Sequence, residues 1–339
     1  MNAHKRPPTI SDVARQAGVS IATVSRVLNS SALVTSDTAE RVQAVIRQLS
    51  FVPHATARGL ASRKTRTLGL VLPVIGREYF SPLLRGIEME ARQAGYHLLI
   101  EIMETPDATR PYLRGLGEHN TDGLVVFTDS VEERELLRLH KNNFPMVLLH
   151  QTPPDGIDIP VISIENKLSA EKIVEHLIEI HNCHRIAFLR GEEGHEDSMW
   201  REKGYRAALK KHNLPFDSSL VARGGFNPDE AKESVARMLK EGLDFDAIFT
   251  GDDDAATGVL AALYGAGKRV PQDVAVVGFD DAPFSRHLTP SLTTVRAPTE
   301  EVGRTAVRQL LKIIQAEKPE PLILLPTELV IRSSCGCQS

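Results

Sequence analysis

The sequence predicts two unlike parts: an N-terminal all-α helix-turn-helix head with a hinge helix, and an α/β core of two doubly wound parallel-sheet lobes. Three observations carry this reading. Two short helical stretches are joined by Gly18-Val19-Ser20 near the N-terminus. From Thr67 onward, short apolar runs alternate with amphipathic stretches. Charge also divides along the chain: residues 1–66 hold ten Lys or Arg against three acidic residues, a formal +7, whereas the rest of the chain carries −11. A small basic segment joined to a large acidic one suits a polyanion-binding head.

Within the head, Thr9-Ile-Ser-Asp12 reads as a capping box that starts a helix, with Val13, Ala14 and Ala17 as its apolar face and Gly18 as its stop. Ser20 caps a second helix running through Val24, Val27 and Leu28 to Asn29. Ser36 or Thr35 caps a third, in which Val42, Val45, Ile46 and Leu49 recur at i, i+3, i+4 and i+7 before Phe51 and Pro53 close the core. The second helix presents short side chains (Ile21, Ala22, Thr23, Ser25) and one long guanidinium, Arg26. That combination suits the DNA major groove, where hydroxyls reach phosphates and an arginine bonds bidentately to guanine O6 and N7. The plainer alternative is a solvated module making protein contacts. Residues 53–62 have too little apolar surface to fold alone, so they read as a linker. Leu60, flanked by Arg58 and Arg63, is placed to wedge into a minor groove if the linker becomes helical there, a simple tether being the alternative.

In the core, apolar runs at 68–72, 97–102, 123–127, 145–149, 185–189, 247–250 and 274–279 read as buried parallel strands, with a helix near Pro82–Gln93. These are too many for one comfortable sheet, and a loop at Gln151–Ile159 is expected to separate two lobes. Expected limits are 1–52 for the head, 53–66 for the hinge, 67–332 for the core and 333–339 for a frayed tail. Within the core the first lobe takes about 67–163 plus 296–322, and the second about 164–295 plus 323–332. Composition, at 42% hydrophobic, 25% charged and 5% aromatic, is ordinary for a globular chain and excludes disordered, collagenous and disulfide-stapled classes. No stretch approaches the ~20 apolar residues of a membrane span, and the N-terminus lacks an apolar leader, so a cytoplasmic protein is expected. Cys183, Cys335 and Cys337 do not by themselves supply a disulfide framework or a four-ligand zinc site, and the Cys-Gly-Cys tail has no histidine near it in the sequence.

Several segments, TISDVARQAGVSIATVSRVLN, TAERVQAVIRQLSFVPHATARGLAS, TRTLGLVLP, WREKGY, DAIFTGDDDAATGVLAAL, VPQDVAVVGFDD and GRTAVRQLL, occur in an order that resembles the lactose- and purine-repressor (LacI/GalR) family over the whole chain. The resemblance implies a homodimeric repressor on double-stranded operator DNA, without cofactor or catalysis. Its core would be similar to periplasmic sugar-binding proteins, with a small-molecule effector between the lobes. It further implies that Ile21 and Ala22 form the base-reading pair, that Arg26 contacts a base and that Leu60 is the hinge wedge. Ser20, Thr23, Ser25, Asn29, Thr38, His54 and Ala57 complete the expected DNA-contact set.

Asp252 and Asp280 follow apolar runs, so they sit where parallel sheets bind ligands, at the C-terminal strand ends. The resemblance adds Arg201 to the same wall. A guanidinium with two acceptors suits vicinal hydroxyls, because each hydroxyl both donates and accepts. Phe80, Phe226, Phe127 and His150 complete the candidate effector set, with core packing the alternative for the aromatic rings and simple solvation for the histidine. Asp252 stands where asparagine is frequent in the family, and the added carboxylate disfavours a sugar acid or sugar phosphate. A neutral carbohydrate is therefore expected, with a nucleobase or protein corepressor as the alternative. Asp253 and Asp254 read simply as charges at a helix N-terminus. An enzyme holding Mg²⁺ with Asp252, Asp253, Asp280 and Asp281 is the alternative of another class, but no phosphate loop or nucleophile elbow accompanies it. Only eleven residues follow Glu328, too few for a tetramerising coiled coil, so a dimer is expected.

Overall fold

A computed structural model describes residues 6, 8–28, 34–51, 65–103 and 115–338, and the chain divides into two units, Met1–Thr65 and Arg66–Ser339. In the first unit, α1 (Ile10–Ala17), α2 (Ile21–Leu28) and α3 (Ser36–Leu49) enclose Val13, Ala14, Ala17, Val24, Val42, Val45 and Phe51. The capping box is present: Thr9 Oγ1 accepts from Asp12 N at 3.3 Å, and Asp12 Oδ2 accepts from Thr9 N at 2.9 Å. Gly18 closes α1 at φ 65°, a conformation that costs glycine nothing. Ser20 Oγ accepts from Thr23 N at 3.1 Å, which starts α2 after a turn of three residues.

The second unit begins with β1 (Thr67–Leu72), α4 (Phe80–Gln93), β2 (His97–Ile102), β3 (Gly123–Phe127), α5 (Glu133–Lys141), β4 (Met146–Leu149) and β5 (Val161–Ile164). There follow α6 (Lys167–His181), β6 (Ile186–Arg190), α7 (Glu196–Lys211), β7 (Val221–Arg223), α8 (Pro228–Lys240), β8 (Ala247–Thr250), α9 (Asp253–Gly265) and β9 (Ala275–Val277). The chain ends with β10 (Thr294–Arg296), α10 (Thr299–Ile314), β11 (Leu322–Leu325) and β12 (Glu328–Val330). The first lobe holds a parallel sheet in the order β11-β5-β4-β3-β1-β2, and the second a parallel sheet in the order β7-β6-β8-β9. Strands β3 and β4 are buried throughout, as strands covered on both faces must be. Among the described residues no helix is long and apolar enough to cross a membrane.

Three expectations need correction. The loop at 151–159 does not separate the lobes, because it joins β4 to β5 within one sheet; the chain leaves the first lobe only after Ile164. The return crossing falls after Leu325 rather than near 322, since β11 pairs with β5 before β12 pairs antiparallel with β10. Finally, the tail is packed. Ser334 Oγ donates to Val276 O at 2.6 Å and accepts from Thr293 N at 2.8 Å, and Cys335 is 2% exposed, with its Sγ 3.5 Å from His176 Nε2.

Helices α4 and α10 cross at two glycines: a Cβ on Gly86 would lie 2.0 Å from Glu300 O, and one on Gly303 would lie 2.5 Å from Leu83 O. Alanine would normally favour a helix over glycine by about 1 kcal/mol. Here the opposing atom is backbone, so the clash wins. Gly86→Ala is expected to destabilise the core by about 1–3 kcal/mol, as overpacking does, and a thermal midpoint equal to or above that of the parent would contradict this crossing.

Candidate functional site

Taken by itself, the head presents an apolar and a cationic group together on α2. Ile21 is 50% exposed, Ala22, Ser20 and Arg26 are exposed, and Thr23 and Ser25 are half-buried. Thr38 accepts a hydrogen bond from the Thr35 hydroxyl at 3.0 Å, so Thr35 stands at the start of α3 without capping a backbone N–H. Asn29, His54, Ala57 and Leu60 lie outside the described residues.

In the core, the C-terminal strand ends of the two lobes converge on Arg201, which is 3% exposed. Helix α7 carries it inward, four residues after Asp197 on the same face. Its Nε donates to Asn166 Oδ1 at 2.9 Å, Nη1 donates to Gly251 O beyond β8, and Nη2 faces Asp280 Oδ1 at 3.6 Å and Asp197 Oδ2 at 3.8 Å. The guanidinium carbon sits 3.8 Å over the Phe279 ring and 5.8 Å from that of Phe226. Phe226 adopts φ 52°, and its ring lies against Gly191, where a Cβ would come within 2.0 Å of it. A Cβ on Gly251 would lie 3.1 Å from the same ring, so the ends of β6 and β8 are both built around it.

The first lobe contributes Tyr79 and His150. His150 is 1% exposed, not solvated: its Nε2 is 2.7 Å from Tyr79 Oη and its Nδ1 is 3.0 Å from Asp197 Oδ2 of the second lobe. Phe80 and Phe127 meet edge-on at 5.1 Å, belong to the buried core and also pack on the Tyr79 ring, at 5.6 and 5.9 Å. At the rim Arg77 pairs with Glu192 at 3.2 Å, and the Thr152 amide and hydroxyl both donate to Glu196, at 2.6 and 2.7 Å. Tyr79, Asn166, Asp197 and His195 are absent from the sequence-derived set. For Asp197 the signal was present, an acid four residues before an arginine on one helix.

Charge in the cleft is nearly balanced. Burial alone would raise Asp197, but His150 and Arg201 beside it hold it down at about 2, so it is ionised. Burial pushes Asp252 up to about 7 although it caps α9 by accepting from Ala255 N at 2.8 Å, and burial also raises Asp280 well above the carboxylate range against the opposing pull of Arg201. Asp253 is more than a helix-end charge. Held at about 7 by burial, it accepts from Ser285 Oγ at 2.5 Å, Thr294 Oγ1 at 2.6 Å and Ala282 N at 2.8 Å, tying α9 to the segment after β9 and to β10. Among protein groups of the cleft, Asp280 Oδ1, His195 Nδ1 and His150 Nδ1 are buried without a hydrogen-bond partner, the last lying only within ion-pair distance of Asp197. Because the folded pKa of Asp252 exceeds its unfolded value near 3.8, the folded state keeps a proton that the unfolded chain loses as pH rises from about 4 to about 7. Stability from this group therefore declines across that window. Asp252→Asn keeps a helix cap, and its thermal midpoint is expected to gain on the parent's as pH is raised from 4 to 7; a constant difference would refute the assignment.

Comparison with known proteins agrees with this architecture. Residues 9–54 match the lacI family of bacterial regulatory proteins, and residues 174–335 match a periplasmic binding protein-like domain. The ribose operon repressor of Halalkalibacterium halodurans is 33% identical over 328 residues, covering 96% of each chain, and catabolite control protein A of Priestia megaterium is 34% identical over 330 residues, covering 96% of this chain and 98% of its own. Among solved structures, the lac repressor dimer bound to operator and the anti-inducer ONPF superposes with a TM-score of 0.84 at 26% identity, covering 97% of this chain and 99% of that one. The complex of the regulator CelR with cellobiose gives 0.71 at 30% identity, with 96% and 99% covered. These relatives are regulators, which sets aside the magnesium-dependent enzyme. The chain belongs to the lacI family of bacterial regulatory proteins and is a DNA-binding transcriptional regulator.

Proposed function

We propose that this regulator senses a neutral sugar in the cleft between its lobes and releases operator DNA when the sugar binds. The observation that carries the reading is the charge balance around Arg201. Ionised Asp197 offsets the guanidinium, and the remaining carboxyls, Asp252 and Asp280, are raised by burial. A site of this kind has no surplus cation for a phosphate or carboxylate. It does hold groups that can pair with sugar hydroxyls: Asp280, whose proton affinity burial raises, buried His195 Nδ1 and the half-buried Tyr79 hydroxyl. Phe226, 8% exposed, supplies an apolar ring face. The named ligands of relatives support the class, since one solved structure of the family contains ribose and another cellobiose.

On the DNA side, the proposed reader is the α2 face of Ile21, Ala22 and Arg26, one head per half-site of a dimer. Edge strand β2 exposes Leu99 and Ile100 at 41% and 40%, one on each face of the sheet edge, apolar surface that a second copy would cover.

Two measurements test these roles. In a thermal-shift screen, ribose, cellobiose and other neutral sugars are compared with sugar phosphates and uronates. A neutral sugar is expected to stabilise the parent, and calorimetry on Asp280→Ala to show binding weakened about 10- to 100-fold, the loss of one buried hydrogen bond of about 1.5–3 kcal/mol. Equal stabilisation of parent and variant would remove Asp280 from the site. For Arg26→Ala, fluorescence anisotropy over a set of operator variants should show a cost of about 1–3 kcal/mol and relaxed discrimination at one position per half-site. A uniform loss on operator and random duplex would make Arg26 a phosphate contact instead.

A further inference from the structure

We propose that His176, His181, Cys335 and Cys337 form a four-ligand site for a zinc ion that fastens the C-terminal segment to the end of α6. The two Nε2 and two Sγ atoms all lie within 4.8 Å of one another. Four of the six edges between them are 3.3 Å (His176 to His181), 3.4 Å (Cys337 to His181), 3.5 Å (Cys335 to His176) and 3.7 Å (Cys337 to His176). A tetrahedron with zinc–nitrogen bonds of about 2.0–2.1 Å and zinc–sulfur bonds of about 2.3 Å has N···N edges of about 3.3–3.4 Å and N···S edges of about 3.5–3.6 Å. The observed edges fall within about 0.2 Å of those values. Two thiolates and two imidazoles are a soft donor set without oxygen, which selects zinc over magnesium or calcium.

The backbone is shaped for this convergence. Four residues separate the two histidines, within the spacing of helical zinc pairs, and His181 is the last residue of α6, just before Asn182 turns left-handed at φ 57°. The two cysteines are separated only by Gly336. It adopts φ 111°, and a Cβ there would stand 3.0 Å from His181 Nδ1, so glycine lets the tail curl against the ring with both sulfurs turned to the histidines. Thr293 Oγ1, 3.1 Å from Cys335 Sγ, provides an outer hydrogen bond to one ligand. The rings of His176 and His181 meet at 73° with centroids 5.0 Å apart, crossed rather than stacked. Zinc here would pin the run that follows β12, one of the strands through which the chain passes between lobes.

The test uses the full-length reduced protein. Equilibrated with zinc and desalted, it is expected to retain one metal ion per chain, and with cobalt to show the intense visible absorption of a tetrahedral thiolate site. Cys337→Ser and His181→Gln replace groups at the edge of the cluster, leave the buried Ser334–Cys335 turn in place, and are each expected to lower retained metal more than ~10-fold, at least the effect of losing an outer-sphere partner. Both should also abolish the zinc-dependent rise in thermal midpoint that mass action gives the parent. Metal content near zero in the parent, a cobalt spectrum of octahedral type, or retention unchanged in both variants would each overturn the site.

Discussion

A buried guanidinium is the constraint around which the core is arranged. Removing Arg201 from water is expensive unless every face of it is met by an acceptor, an anion or a π-cloud. Here those partners come from separate parts of the fold: the start of α6 (Asn166), the end of β8 (Gly251), the end of β9 (Phe279 and Asp280) and its own helix (Asp197). Satisfying one cation therefore fixes the relative positions of the strand ends that line the cleft. It also decides which carboxyls ionise. Asp197 is held ionised between Arg201 and His150, whereas burial, reinforced by neighbouring carboxylates, raises Asp252 and Asp280.

The lobes meet across the cleft through Tyr79, hydrogen-bonded to His150, whose Nδ1 lies 3.0 Å from Asp197 Oδ2, and through rim contacts of Thr152 and Arg77. His150 and Asp197 are buried and Tyr79 half-buried, whereas Thr152 and Glu192 at the rim are exposed. A ligand that binds among them exchanges protein–protein hydrogen bonds for protein–ligand ones, so its differential affinity for the two lobe arrangements determines how far the equilibrium moves.

Much of the architecture is readable from residue pattern. The capping box at Thr9 and Asp12, the glycine stop at Gly18 and the continuous apolar runs of β1, β3 and β4 are local signals, and local physics decides them. The strands that escape notice are β5, β7, β10, β11 and β12, each of three or four residues. Such runs are too short to show a period, and pairing partners supplied from far along the chain define them. The cleft divides in the same way. Asp252, Asp280 and Arg201 follow from strand-end position and resemblance, while Tyr79, Asn166 and His195 are ordinary residues in loops or at helix starts until the lobes close on them. Asp253 reads as a helix-end charge because its acceptor role depends on Ser285 and Thr294, residues that only the folded chain brings near. The Cys-Gly-Cys tail lacks histidines within its own neighbourhood for the same reason, since His176 lies 159 residues before Cys335.

The threading of the chain between lobes bears on how the protein is made. The first lobe opens with β1 yet is completed by α10 and β11, which pack against α4 and pair with β5 from more than 150 residues away. A ribosome delivers the second lobe's sheet whole before the last helix and edge strand of the first have been synthesised. During that interval β5 has an unpaired edge and α4 an uncovered apolar face, the kind of surface that recruits holding chaperones or mispairs with neighbouring nascent chains. Vectorial synthesis thus favours a second-lobe sheet that forms early, with maturation of the first lobe waiting until α10 and β11 have emerged.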